Sequence, residues 1–390
     1  MKKSLLALAA LGAFASVAHA QSSVTLYGII DAGLDYTNNV NNGAGQGKSQ
    51  WAMVSGVTQG SRWGLKGSED LGGGLKTVFQ LENGYSIFTG KLGQNQTGTP
   101  NSNSMFGRQA YVGLSDNSWG TVTIGRQYDT IDQFIQPATL NGNWGAFFSH
   151  AADIDNTDNA YRVNNSVVYA SPSFNGLTFG GMYAFGGAAG SFGRNSMFGL
   201  GADYANGPIY LTAAYEFAKT PAAQFADGNW TASTAATAAS LGPFGYVGNT
   251  PSNSQIIGAG GTYSFGPAKL GVDYTNTKFD DALGTSSSMT FNNAEVWGQY
   301  ALTPAVSLIA GDTYTWGKAD YTIASGNKPT WNQVNLMADY ALSKRTDVYV
   351  MSEWVHAGGG ADAAIYPGLL GAASTTDSQV SVRLGIRTKF

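Results

Sequence analysis

The chain has 390 residues, a formal net charge of −4 and no cysteine, which excludes disulfides and thiol-based metal or redox sites. Its acidic balance gives no support for nucleic-acid binding, which favours clustered Lys and Arg. With 53 glycines, 20 tyrosines and 19 phenylalanines, the chain is too polar for a bundle of membrane helices and too aromatic for a disordered protein.

The N-terminus has the pattern of an export signal. Lys2 and Lys3 precede an apolar stretch at 5–17, and Ala18-His19-Ala20 has the small residues of a cleavage site. We therefore predict a cleaved signal peptide at 1–20 and a single domain at 21–390. The apolar stretch is shorter than the ~20 residues that a spanning helix needs, and no later stretch of the sequence reaches that length.

From residue 21 onward, short segments alternate between apolar and polar residues. In the first of them Leu26 and Leu34 face one side of a strand, while Asp31 and Asp35 face the other. Such alternation is typical of strands with one face in lipid and one in water. An all-β barrel wall also explains a composition that is half polar and half apolar.

The connections between these segments alternate in length. Seven short turns carry the Gly, Pro, Asn and Asp that tight turns require, and eight long loops separate the remaining segments, so the pattern predicts sixteen strands. The predicted long loops are 37–50, 86–105, 127–161, 186–193, 218–254, 280–292, 317–331 and 356–377. An even strand number with short turns at one end and long loops at the other is typical of an outer-membrane barrel.

The C-terminal segment alternates as well, and then the chain ends on Phe390. Val380 and Leu384 lie on its apolar face, while Arg383 and Arg387 lie on its polar face. A free apolar edge strand tends to associate with other strands. We therefore predict that this segment pairs with the first strand and closes the barrel.

Five sequence motifs stand out along the first third of the chain. They are SVTLYG at 23–28, SRWGLKG at 61–67, EDLGGG at 69–74, GRQAYVGL at 107–114 and GRQ at 125–127. In combination they resemble the general diffusion porins of beta-proteobacteria, and the similarity extends from 21 to 390. The resemblance implies an all-β, transmembrane antiparallel β-barrel of 16 strands with short periplasmic turns, long extracellular loops and a third loop folded into the lumen.

The same resemblance implies the surroundings and partners of the barrel. It implies a homotrimer in the outer membrane of a Gram-negative cell, in contact with outer-membrane lipid and lipopolysaccharide. It also implies that the barrel assembly machinery recognises the terminal Phe390, and that the permeants are small hydrophilic solutes and ions. It implies no cofactor.

The third long loop, 127–161, is the best candidate for a pore constriction, because so long a loop without regular structure is usually functional or disordered. Phe134, Ile135 and Phe147 are apolar residues that could anchor it to the wall. Folded inward, its acids would face the basic residues of the barrel. These acids are Asp129, Asp132, Asp153, Asp155 and Asp158.

Strand alternation identifies basic residues that point into the lumen. Arg62 and Lys66 lie opposite Trp63 and Leu65, and Arg162 also has lumen parity. The porin resemblance assigns constriction roles to the arginines at Arg62, Arg108 and Arg162. Facing charges of opposite sign set up a transverse field that sorts ions and polar solutes. Other predicted lumen charges are Lys66, Glu82, Asp31, Arg383 and Arg387.

Two arginines do not fit simple alternation. Arg108 and Arg126 share parity with residues on the presumed lipid side, such as Val112 and Ile124. A bulge, or a position at a strand end, would turn either side chain inward. The alternative is an arginine at the membrane rim that extends toward the lipid headgroups.

Patterns that suggest other functions are weak. The segment 43–49 resembles a phosphate-binding loop but lacks its first glycine and a following helix. Asp153, Asp155 and Asp158 lack the full spacing and bidentate Glu of a calcium loop. His150 and His356 lie in predicted loops without a recognisable nucleophile motif. We therefore predict no catalytic, cofactor or metal site and no enzyme.

The sequence thus favours an outer-membrane channel for passive diffusion of small hydrophilic solutes and ions. A soluble β-adhesin would instead need polar outward faces around a closed apolar core. A nearer alternative is a porin selective for a particular anion, sugar or organic acid. Wall acids such as Glu82, Asp273 and Glu295 leave the preference between anions and cations open.

Overall fold

The computed structural model describes residues 23–92, 104–321, 328–367 and 370–390. The predicted signal peptide at 1–20 lies outside these residues. Within the described ranges, no helix combines the length and the apolar character that a membrane span requires.

Strands make up most of the described chain and form one antiparallel sheet. Their bounds are β1 Ser23–Asn41, β2 Gly47–Ser55, β3 Arg62–Gly72, β4 Leu75–Gly84, β5 Gln109–Asp116, β6 Gly120–Gln127, β7 Val163–Ala170, β8 Leu177–Ala184, β9 Met197–Asn206, β10 Ile209–Lys219, β11 Asn253–Phe265, β12 Ala268–Asp280, β13 Met289–Ala301, β14 Val306–Ala319, β15 Thr330–Ala341, β16 Thr346–Gly358 and β17 Ser378–Lys389. Each strand from β3 to β17 pairs with the next, so the described chain is an up-and-down sheet.

The sheet closes on itself through its first and last strands, as predicted. β1 pairs with β17 from Ile29 opposite Lys389 to Thr37 opposite Ser381. The ladder ends with the Phe390 N–H donating to the Gly28 carbonyl over 3.0 Å, and the Gly28 N–H donating back over 3.1 Å. A side chain at Gly28 would collide with the ring of Phe390, which explains the glycine at this position.

The second barrel strand is built from two pieces. β2 pairs with the later half of β1 and β3 pairs with its earlier half, so the seventeen described segments form sixteen barrel strands. The predicted strand number is therefore confirmed. Between the two pieces, residues 56–61 leave the wall; we call them the inward segment.

The prediction of a long first loop at 37–50 is wrong. β1 continues to Asn41 and β2 begins at Gly47, so only 42–46 connect them. The polar, asparagine-rich sequence has the composition of a loop, but its backbone pairs with β2 and, in part, with β17. A register shift between Thr37 and Val40 accommodates it, with Asn39 at a φ of 52°.

The predicted alternation of faces is borne out along the wall. On β1, Leu26 is 59% exposed, whereas Asp31 and Asp35 are buried on the lumen side. Leu384 on β17 is likewise exposed, and its neighbour Arg383 is buried. An outward band of exposed apolar residues around a closed barrel is the pattern of a lipid-facing surface.

The short turns lie where their Gly, Pro and Asn residues predicted them, and the helices lie in the long loops. The helices are α1 Thr130–Phe134, α2 Leu140–Trp144 and α3 Pro221–Gln224, with 3₁₀ turns at 136–138, 146–148, 151–153, 238–241, 243–246 and 282–284. α1 and α2 belong to the third loop, 128–162, which therefore has regular structure. Its apolar side chains pack on the inside of the barrel, so the core of the molecule lies between this loop and the wall.

Candidate pore constriction

Glycines on the inner wall form a groove that receives the third loop. A Cβ atom at Gly201 would lie 2.2 Å from the ring of Phe134, and one at Gly258 would lie 2.9 Å from Ile135. At three more wall positions a Cβ atom would also come close to the side chain of a loop residue: Gly180 to Phe134, Gly260 to Ala138 and Gly311 to Leu140. Because these wall positions have no side chain, the loop lies directly against the sheet. We call these five wall glycines the glycine groove.

Hydrogen bonds from the wall to the backbone of the loop fix its path. Trp297 Nε1 donates to the Ala138 carbonyl over 2.8 Å, and Glu295 Oε1 accepts from the Leu140 N–H over 2.6 Å. Gln333 Nε2 donates to the Ser149 carbonyl over 2.9 Å. These contacts satisfy buried backbone groups that water cannot reach.

The inward segment forms the opposite support of the loop. The Asp31 carboxylate accepts the N–H groups of Thr58 and Gln59 over 2.6 and 2.8 Å, and this holds the segment in the lumen. The Phe147 N–H of the third loop donates to the Val57 carbonyl over 3.1 Å. Gly145, at a φ of 124°, passes so close to Thr58 that a side chain would clash with its backbone.

A cavity of about 470 Å³ lies in the lumen between the wall, the inward segment and the third loop. It is lined by groups of both charges. The charged lining residues are Arg62, Glu82, Arg108, Asp132, Asp158 and Arg162, and the tyrosines are Tyr27, Tyr128 and Tyr366. Five predicted constriction residues therefore surround one space: three arginines and two aspartates.

Two of the three arginines, Arg108 and Arg162, are organised around two tyrosines and one glutamate. Arg108 Nε lies 2.7 Å from Glu82 Oε1, and Arg108 Nη2 donates to the Tyr128 hydroxyl over 2.7 Å. Tyr27 donates its hydroxyl to the other oxygen of Glu82 over 2.8 Å. The guanidinium of Arg162 lies 5.1 Å from the centre of the Tyr128 ring, within cation–π range. This packing presents the guanidinium groups to the cavity.

The two acids on the loop side are less strongly charged than ordinary aspartates. Burial raises the pKa of Asp132 to about 6, although the amide of Asn159 and the charge of Arg162 oppose this shift. Burial also raises the pKa of Asp158 to about 6, against a hydrogen bond from the Tyr366 hydroxyl over 2.7 Å. The negative charge opposite the arginines is therefore half neutralised by protons at a pH of about 6, which is well above the usual range for aspartate.

The prediction that all five loop acids face the lumen arginines is wrong for three of them. Asp129 caps α1 by accepting the Asp132 N–H over 2.7 Å. Asp153 accepts the N–H groups of Asp158 and Ala160, and Asp155 accepts from His150. The carboxylates of Asp129 and Asp153 satisfy backbone groups inside the loop, whereas that of Asp155 contacts His150 and the wall. None of the three lines the cavity. Sequence spacing carries no signal for this difference, because it depends on the loop's own fold.

Strand alternation alone would point Arg108 and Arg126 toward the lipid, and the structure places their side chains differently. Arg108 lies just before β5, and there its side chain turns into the cavity. Arg126 lies at a register shift between Gly125 and Gln127, which is one of the arrangements that could have turned its side chain inward. Its guanidinium nevertheless contacts the Gly107 carbonyl, Asn164 and Asp227, so it holds neighbouring loops together and does not line the cavity.

The other predicted lumen charges are mostly paired. Arg383 is fully buried and lies 2.6 Å from Asp35 and 3.4 Å from Asp31, so Asp31 and Arg383 lie on the lumen side of the wall but pair with each other there. Arg387 pairs with Asp347 over 3.0 Å. Lys66 is exposed beside the ring of Tyr27, and Glu82 lines the cavity as predicted.

Sequence reasoning missed the inward segment, the glycine groove and the three tyrosines of the cavity. Tyr27 shares the strand parity of Asp31 and Asp35, but tyrosines recur throughout the strands and gave no reason to single it out. The glycines were visible as a high count, yet their shared face emerges only from the register of seven strands, β8 to β14.

Filling the glycine groove is expected to destabilise the barrel. In a Gly201→Leu variant the new side chain occupies the space of the Phe134 ring, and such overpacking lowers the free energy of unfolding by about 1 to 3 kcal/mol. A urea titration in lipid vesicles measures this change. The double variant Gly201→Leu with Phe134→Ala restores the volume and should recover part of the loss; equal stability of the single variant and the unmodified chain would contradict a tight groove.

Comparison with known proteins agrees with this architecture. Residues 7–359 match the family model described as Gram-negative porin. The chain is 32% identical to outer membrane porin protein 32 of Delftia acidovorans over the full length of both chains. It is 31% identical to an outer membrane porin protein of Bordetella pertussis, over 91% of this chain and 94% of the relative. Among solved structures, an anion-selective porin from Comamonas acidovorans aligns with a TM-score of 0.73 at 24% identity, over 95% of this chain and 100% of that one. The chain belongs to the Gram-negative porin family and is a sixteen-stranded porin of the outer membrane.

Proposed function

We propose that the chain forms a water-filled channel for passive diffusion of small hydrophilic solutes and ions, and that its arginine cluster makes it prefer anions. The observation that carries this proposal is the convergence of Arg62, Arg108 and Arg162 on one cavity. In the described part of the chain, neither Arg62 nor Arg162 forms an ion pair with a carboxylate.

The balance of charge around the cavity supports an anion preference. Glu82 compensates Arg108 directly, since their atoms lie 2.7 Å apart. Arg62 and Arg162 remain to be balanced by Asp132 and Asp158 across the cavity. Burial raises the pKa of both aspartates to about 6, so their charge weakens as the pH falls toward 6, whereas the arginines keep theirs. The arginines then dominate the local field, and a cavity lined by one sign of charge concentrates ions of the other.

The preference is measured most directly from reversal potentials. The purified protein is inserted into a planar lipid bilayer under a tenfold KCl gradient. We expect stepwise conductance and a reversal potential with the sign of chloride-selective flow. Absence of steps would refute the channel itself, while steps with a potassium-selective sign would refute the arginine filter alone.

The channel is expected to become more anion-selective as the pH falls from 7.5 to 5. Asp132 and Asp158 have a pKa of about 6, so both are mostly ionised at the upper pH and mostly neutral at the lower one, whereas the arginines keep their charge. The ratio of chloride to potassium permeability, obtained from reversal potentials at each pH, should therefore rise on acidification.

A matched variant isolates the two aspartates from other groups. The double variant Asp132→Asn with Asp158→Asn should have, already at pH 7.5, the selectivity that the unmodified channel reaches at pH 5, and should respond little to acidification. If the double variant keeps the full pH response, other groups must titrate in the pore.

We further propose that the chain acts as a homotrimer, exported by cleavage after residue 20 and surrounded by outer-membrane lipid and lipopolysaccharide. The outward apolar band, with exposed residues such as Leu384, offers a surface for lipid and for neighbouring subunits. One similar structure, OmpT of Vibrio cholerae, is described in a trimer form. The terminal Phe390, paired to Gly28, is the proposed recognition residue for the assembly machinery. Native mass measurement of the detergent-extracted protein tests the subunit number.

A further inference from the structure

A second cluster of titratable side chains lies behind the third loop and away from the cavity. His150 belongs to the loop, Asp273 to β12 and Glu295 to β13, and all three side chains are completely buried. Asp155, also in the loop and also buried, contacts His150 from its other side. The cluster therefore bridges the loop and the barrel wall, and the filter proposed above does not use it.

Hydrogen bonds around Asp155 define which nitrogen of His150 is free. The Asp155 carboxylate lies 2.6 Å from His150 Nδ1 and also accepts from the Thr275 hydroxyl and from Asn293. Because the carboxylate can only accept, Nδ1 carries the proton and donates it. His150 Nε2 is consequently directed at the two wall carboxylates, and no hydrogen-bond partner satisfies it.

Asp273 is the residue of this cluster that most clearly lacks hydrogen-bond donors. Neither of its carboxylate oxygens has a hydrogen-bond partner, although the side chain is entirely shielded from water. His150 Nε2 lies 3.3 Å from Asp273 Oδ1, without hydrogen-bond geometry. A buried carboxylate without donors is costly, and it requires a proton or a cation.

We propose that His150, Asp273 and Glu295 bind a divalent transition-metal cation, best matched by Zn²⁺, which fastens the third loop to the barrel wall. His150 Nε2 lies 3.3 Å from Asp273 Oδ1 and 3.7 Å from Glu295 Oε2, and the three ligand atoms lie within 4.8 Å of one another. Zinc bonds of about 2.0 to 2.2 Å at tetrahedral angles place ligand atoms about 3.3 to 3.6 Å apart. The side chains thus need only small shifts to enclose the ion.

The groups around the ligands also suit zinc. A histidine ligand usually donates its second ring N–H to a carboxylate, and Asp155 has this position relative to His150. Glu295 is held in place through its other oxygen, which accepts the Leu140 N–H over 2.6 Å. An imidazole with two carboxylates favours zinc over Ca²⁺ or Mg²⁺, which take six or more oxygen ligands. The two positive charges of the ion would also offset most of the charge of three carboxylates buried together.

Zinc content of the intact, untagged protein tests the proposal without reference to conductance. The full-length mature protein is freed of metal with a chelator while unfolded, refolded in detergent with ZnCl₂ and exchanged into zinc-free buffer. We expect about one zinc per chain. Refolding with Co²⁺ should give the visible absorption of a tetrahedral site. A folded chain that retains neither ion would overturn the proposal, and because no current is measured, the anion filter would be unaffected.

Variants assign the site to its residues. Asp273→Asn with Glu295→Gln should abolish zinc retention, and Asp155→Asn should weaken the affinity about 10- to 100-fold by releasing the His150 ring. His356→Gln serves as the control, because His356 is exposed and stacks on Trp354 at the rim, so its zinc content should equal that of the unmodified chain. Undiminished zinc in the Asp273–Glu295 variant would overturn the assignment. If that variant does not fold, the cobalt spectrum of the unmodified protein still decides the question.

Discussion

Replacing Arg62 and Arg162 together by glutamine is expected to shift the reversal potential of the channel strongly toward potassium. Both guanidinium groups border the same cavity, and neither has an ion-pair partner in the described residues, so their charge acts on the permeating ion. A unit charge about 8 Å away at an effective dielectric constant of about 20 contributes about 2 kcal/mol before salt screening. After screening, we expect the chloride to potassium permeability ratio to fall about tenfold or more.

The control for this experiment keeps the charge and changes the shape. Arg62→Lys with Arg162→Lys preserves two cations in the cavity and should retain most of the selectivity. Single-channel conductance reports separately on pore width, because glutamine is smaller than arginine. An unchanged permeability ratio in the double glutamine variant would mean that ions cross the barrel by a path on which these residues exert no field.

Barrel architecture could be predicted from sequence because its causes are local. Alternation of apolar and polar residues depends only on the two-residue repeat of a strand, so Leu26, Asp31, Arg383 and Leu384 were assigned to the correct faces. The short turns were likewise marked by their own Gly and Pro residues. At Arg126 the conflict between charge and parity left a bulge, a strand end and a rim position open, and the structure has a register shift there.

The environment of each lumen charge could not be predicted in the same way, because it depends on pairs that are far apart in sequence. Asp31 and Arg383 are both lumen residues by parity, yet their pairing across the closing seam buries them. Within the third loop, Asp132 faces the cavity while Asp155 turns toward His150. No spacing rule distinguishes these two aspartates, since the difference arises from a loop fold that the glycine groove and the inward segment impose.

The closing seam of the barrel contains a buried ionic group that should dominate its stability. Arg383 donates to Asp35 over 2.6 Å, lies 3.4 Å from Asp31, and also donates to the Val54 carbonyl and the Tyr349 hydroxyl. Gly33 leaves room for the guanidinium, because a Cβ atom there would lie 2.5 Å from Arg383 Cζ. Asp31 in turn holds the inward segment, so this group connects the seam to the constriction.

An Arg383→Met variant is expected to lose about 3 to 5 kcal/mol of unfolding free energy, because removing one partner leaves Asp31 and Asp35 buried without a counter-charge. Urea titration in lipid vesicles, followed by tryptophan fluorescence, measures the loss. Arg345→Gln, in an exposed turn, is the control and should change the free energy by less than about 0.5 kcal/mol.

Adding Asp31→Asn and Asp35→Asn to the methionine variant removes the unpaired charges and should recover much of the stability. If the triple variant were no more stable than Arg383→Met alone, lost packing around the guanidinium, and not unpaired charge, would account for the effect.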